Sequence, residues 1–265
     1  MVRSPLTTSP SEIASGIYTR LPLEIRNRVY TFCIQEGAYD NEVIIRRALT
    51  QQQHAFTLLV REPSGPHSYA WVEDPITSTI HGKHMSPAVA REMLEAYYWT
   101  RVFKFSHREL DLLGPFLGSD VFGLGRIPLA YARRLHIQIR PFAYAAKRMR
   151  EHDATEQQKC HQAIAALAAI RTARTEVMVQ FDLEQDLLNR PASEPFPPED
   201  ERFLLKLIRD LIALKDRGLR IEIAFSGTWS GHSSTRVRSR SMCSPEECMV
   251  RMTKAAQPTC FGGVS

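Results

Sequence analysis

Three alternating stretches constrain the fold of this chain more than any other feature. In residues 134–140, Leu135, Ile137 and Ile139 alternate with His136, Gln138 and Arg140. In residues 176–182, Val177, Val179 and Phe181 alternate with Met178, Gln180 and Asp182. In residues 219–225, Leu219, Ile221, Ile223 and Phe225 flank Arg220 and Glu222. A period of two marks half-buried strands. Helical patterns separate them. Asp153 and Glu156 form a candidate capping box ahead of Cys160, Ile164, Leu167 and Ala168. Pro197-Pro198-Glu199 opens the strongest helix, lined by Phe203, Leu204, Leu207, Ile208, Leu211 and Ile212. Lys215, Arg217 and Gly218 close it.

Strand, helix and strand in succession imply βαβ units and parallel pairing. Strands buried on both faces read as continuous apolar runs, whereas these keep one polar side. The expected fold is therefore α/β and two-layered: a mainly parallel sheet with helices on one face, an N-terminal amphipathic helix and a disordered tail. The open face would carry His136, Gln138, Arg140, Gln180, Asp182, Arg220 and Glu222, as a solvated surface or as a contact surface for a client protein.

The first half is less regular. Residues before 17 are rich in Ser, Thr and Pro and read as a flexible arm over 1–16. A short helix over 21–34 follows, with Leu21, Ile25, Val29, Phe32 and Cys33 at helical spacing on one face. Pro22 suits its first position, and Glu24 lies where the helix dipole favours a negative charge. Residues 42–46 and 56–60 read as strands, and 62–85 as a long loop of Pro, Gly, His and Ser. Ser86-Pro87 then gives a helix start, with Val89, Met93, Leu94 and Tyr97 on one side. Residues 102–105 read as a strand, followed by a short helix through Leu110, Leu113 and Leu117. The reading is one α/β domain over 17–226 and a basic, Ser-rich disordered tail over 227–265.

Composition bounds the function. The 265 residues can bury a sizeable core, and 43% hydrophobic with 24% charged is ordinary for a globular protein. Lys plus Arg exceed Asp plus Glu by only 34 to 29, and aromatics are not interleaved with bases, so no nucleic-acid partner is expected. Five irregularly spaced cysteines fit a reducing compartment, and no apolar run reaches signal-peptide or membrane-span length. The expected location is intracellular, cytoplasmic or nuclear, with no membrane partner.

Catalytic signatures are missing. There is no dinucleotide fingerprint, P-loop, H-E-x-x-H or nucleophile elbow. The nearest imitation, Gly227-Thr-Trp-Ser-Gly231, places its serine one position late. His67, His81 and His84, or Cys243, Cys248 and Cys260, could approach a metal, but neither group has the paired spacing of a structural zinc site. No cofactor, metal or small-molecule substrate is expected.

The opening helix resembles the LPxEIRxxIY signature of fungal F-box-like and two-EXR-type proteins through Leu21, Pro22, Glu24, Ile25, Arg26, Val29 and Tyr30. A second likeness is Glu92, Leu94, Tyr97 and Tyr98 ahead of Phe103 and Phe105. The resemblance implies a non-catalytic adaptor whose Leu-Pro helix lies against Skp1 of a cullin ubiquitin ligase. The contact residues would be Leu21, Pro22, Ile25, Val29 and Phe32. In a true F-box two further short helices follow, whereas this chain turns strand-like after Ile34. Two alternatives stand beside the adaptor. In one the apolar residues of the helix pack into the domain's own core. In the other an enzyme uses the polar sheet face or the His67–His84 loop.

Overall fold

A computed structural model describes residues 16, 18–36, 41–48, 56–65, 68–81, 85–140, 150–171, 174–183, 198–227 and 237–239. The chain divides into two compact units, one of residues 1–103 and 115–133, the other of 104–114 and 134–265. Apart from Gly16, the expected arm lies outside the described residues, as does most of the expected tail.

The first unit begins with helix α1 (Leu23–Glu36), then strands β1 (Glu42–Arg47), β2 (Phe56–Gly65) and β3 (Ser68–Glu73). Helices α2 (Pro75–His81) and α3 (Pro87–Thr100) lead into β4 (Val102–Phe105), within which the boundary between the units falls. Helix α4 (Leu113–Gly118), divided between the units after Gly114, and α5 (Pro128–Tyr131) follow. The three strands form an antiparallel meander, with Ile45 opposite Leu58 and Arg61 opposite Trp71. This corrects the expectation of a mainly parallel sheet. Short connections join these strands, and a short connection reverses direction, whereas parallel pairing needs a long crossover.

The supposed loop over 62–85 contains the end of β2, all of β3 and all of α2. Val43, Ile45, Leu58 and Val60 are buried on the meander's inner side. The core beside α3 is aromatic. Phe103 meets the rings of Tyr97, Tyr98 and Phe116 at centroid distances of 5.7, 5.8 and 5.0 Å. Each such pair adds about 0.5–1.5 kcal/mol beyond area burial. Ser86 caps α3 as expected, its hydroxyl accepting from Val89 N.

The second unit holds the parallel part. β5 (Arg134–Ile139), β6 (Glu176–Leu183) and β7 (Arg220–Gly227) pair in parallel register, and β8 (Val237–Ser239) adds antiparallel to β7. Helices α6 (Arg150–Ala168) and α7 (Pro198–Asp216) supply the crossovers. α6 starts ahead of Asp153, so the expected capping box falls inside the helix, and Glu156 pairs with Lys159 at 2.8 Å instead. α7 ends as read. Gly218 adopts φ +97°, its N–H donates to Lys215 O at 2.9 Å, and Leu219 N–H donates to Leu214 O at 3.2 Å, a Schellman closure. β7 therefore starts directly after the helix stops.

Candidate functional site

The signature helix α1 is held by its polar residues. Arg26, Tyr30 and Ile34 recur every four positions and form the edge that faces α3. Arg26 grips Glu92 of α3 in a two-pronged pair, Nε to Oε2 at 2.9 Å and Nη2 to Oε1 at 2.8 Å. Its remaining nitrogen, Nη1, donates to the carbonyl oxygens of Leu21 at 2.8 Å and Tyr18 at 3.1 Å, fixing the turn that leads into the helix. The guanidinium also lies over the Tyr18 ring, 4.8 Å from its centroid. The hydroxyl of Tyr30 donates to Glu92 Oε2 at 3.3 Å. Such charge-assisted, planar pairing is specific to arginine.

Electrostatics follow from this geometry. The hydrogen bond that Arg26 donates to Glu92 raises the pKa of Arg26 further above its ordinary value. Burial, with the Glu92 charge second, pushes the Tyr30 phenol up to about 12. Below that pH Tyr30 keeps its proton and donates to Glu92.

With the polar edge docked, the apolar stripe faces away. Ile25 is 41% exposed and Phe32 63% exposed, with Cys33 exposed and Leu21 and Val29 half-buried. Pro22 is exposed at the helix entrance. Leu23 is also 48% exposed, but it lies in the first turn on the side of Tyr30 and Ile34, apart from the stripe. Only Tyr30 and Ile34 of this helix are buried. Of the stripe, Ile25, Phe32 and Cys33 thus lie outward, while Leu21 and Val29 are only partly covered.

The second candidate surface, the polar face of the parallel sheet, differs from expectation. His136 is 1% exposed; Gln138, Arg140, Gln180, Asp182 and Glu222 are half-buried; Arg220 alone is exposed. Nε2 of His136 lies 2.9 Å from Gln180 Oε1, an oxygen that can only accept, so the proton sits on Nε2. Gln180 Nε2 in turn donates to Asp182 Oδ1 at 3.0 Å. Arg220 reaches Glu176 across the strands at 3.4 Å, both side chains being exposed. The face is thus not open at His136, which is buried and linked through Gln180 to Asp182 inside the unit.

At the carboxyl end of these strands, burial and the neighbouring Arg140 hold the His107 imidazole below its ordinary value, against the opposing pull of Glu156 and Asp182. Of the proposed metal groups, His81 stacks on Phe122 with centroids 4.8 Å apart. His67, His84, Cys243, Cys248 and Cys260 lie outside the described residues.

No helix among the described residues is long and apolar enough to cross a membrane. Comparison with family models, with curated proteins and with solved structures finds no match.

Proposed function

We propose that the chain is a non-catalytic protein-interaction module of the fungal F-box-like kind, which engages a protein partner through the outward face of α1. The observation that carries this reading is the division of labour on that helix. Arg26 and Tyr30 anchor it to Glu92, while Ile25 and Phe32 are left exposed on the opposite face, with Val29 half-buried beside them. Leaving large apolar side chains in water forgoes about 1.5–3 kcal/mol each. Exposed apolar side chains grouped on one helix face are the mark of an interaction site. Skp1 is the partner that the resemblance names. The helices that complete a true F-box are replaced here by the β1–β2–β3 meander, so any contact rests on the single helix α1.

The test is co-purification with Skp1 and with unbiased partners from a lysate, using the whole chain. Leu21→Ala with Ile25→Asp, or Phe32→Asp alone, is expected to abolish capture. For Phe32→Asp the melting temperature should hardly move, since exposed substitutions cost within about 0.5 kcal/mol. A direct pull-down without Skp1 would end the adaptor reading. A large fall in melting temperature would instead assign the stripe to the core.

A further inference from the structure

The far edge of the first unit's meander carries chemistry that the α1 reading does not use. β3 pairs with β2 on one side, and among the described residues no strand pairs with it on the other. Its register settles which backbone groups face that edge. Asp74 N–H donates to Leu58 O at 2.9 Å, so 58 and 74 form a hydrogen-bonded pair. Hydrogen-bonded and non-bonded pairs alternate along an antiparallel ladder. Val60–Val72 and Glu62–Ala70 are therefore bonded pairs, while Leu59–Glu73, Arg61–Trp71 and Pro63–Tyr69 are not. Proline at 63, which has no N–H, agrees with this phase. Trp71 and Glu73 consequently aim both backbone groups away from β2.

The same alternate positions carry the large side chains. Tyr69 and Trp71 are exposed on one face, and the Arg61 guanidinium leans from β2 over both rings, 5.9 and 5.2 Å from their centroids. Tryptophan, tyrosine and arginine are the residues that dominate protein interfaces. Ser68–Glu73 contains neither Pro nor Lys, the usual devices that block edge pairing.

We infer that β3 pairs antiparallel with β3 of a second copy of this chain, about a two-fold axis at Trp71. Edge residues with outward backbone groups must face one another, which allows only odd-with-odd pairing here. With the axis at Trp71, Trp71 meets its own counterpart, and Tyr69 meets Glu73 of the other copy, so each outward position of the strand is used. This register also brings unlike charges together. The Arg61 guanidinium lies above Tyr69 and Trp71, and Glu73 of the second copy arrives beside that Tyr69, twice by symmetry. An isologous interface of this kind closes on itself and gives a dimer, not a fibre.

The test is the mass of the whole chain in solution by sedimentation or light scattering, up to about 100 μM. The expected species is a dimer of about 60 kDa, twice the chain's 30.2 kDa. Glu73→Lys and Arg61→Glu should each raise the dissociation constant by about tenfold or more, through like-charge contacts. Mixing these two variants should restore a dimer, because both cross-strand pairs become attractive again. Trp71→Pro should give a folded monomer, since the N–H it removes is not used by β2. A monomeric wild type would overturn the inference. So would a dimer indifferent to Trp71→Pro, or two charge variants that fail to recombine when each is folded by circular dichroism.

Discussion

Asp74 and Arg101 are the most exacting side chains in the first unit, because both are wholly buried and oppositely charged, 3.4 Å apart. Asp74 also caps α2 by accepting from Ile76 N at 3.0 Å, and Tyr97 donates its hydroxyl to the other carboxylate oxygen at 3.1 Å. Burial, with the Asp74 charge second, raises the Tyr97 phenol well above its ordinary value, so it remains a donor. Arg101→Ala strands the carboxylate in the interior and should cost about 3–5 kcal/mol, read from urea denaturation. Replacing the pair together, Asp74→Asn with Arg101→Met, should cost less than the single change, and a double-mutant cycle checks this. Neither residue stood out in the sequence. A buried ion pair between residues distant along the chain leaves no periodic trace. The same holds for Arg26 and Glu92: each was visible within its own motif, but their partnership was not.

At the scale of elements, α1 was legible as a helix but its orientation was not. Apolar spacing alone nominates the face of Leu21, Ile25, Val29 and Phe32 for burial. The observed docking instead follows the polar edge of Arg26 and Tyr30, because a two-pronged pair to Glu92 and the buried Ile34 fix it. β3 was missed for a related reason. Its sequence SYAWVE lies at a sheet edge, where inner and outer faces differ little in burial, so alternation carries little signal. α7 was legible to its last residue, since its long apolar stripe and Gly218 agree. That agreement can be tested. Gly218→Ala forces a side chain into φ +97° and should cost about 1–2 kcal/mol in unfolding free energy, with β7 pairing otherwise unchanged.

For the molecule as a whole, the sequence declared the parallel half far more clearly than the antiparallel half. β5, β6 and β7 have sharp alternation and long intervening helices, which together specify both strand and crossover. The meander of β1, β2 and β3 has only short connections, and neither Pro63 nor Gly65 reads as part of a strand. The polar face of β5–β7 was read as uniformly open, whereas His136 is buried and most of its neighbours are half-buried, a difference that strand alternation does not encode. Global stability should register the burial of His107 beside Arg140 as a pH dependence. In the folded chain this imidazole binds its proton less readily than the ordinary value of about 6.5 allows. The unfolded chain, free of that burial and of Arg140, takes up the proton first. Stability is therefore full above about pH 6.5, and falls as the pH drops through that value towards the lower folded pKa. His107→Gln removes the difference, so its urea midpoint should vary less between pH 5 and 8 than that of the wild type. Equal slopes in the two proteins would mean that His107 is solvated alike in both states. A steeper slope in the variant would reverse the sign of the argument and place the protonated form inside the fold.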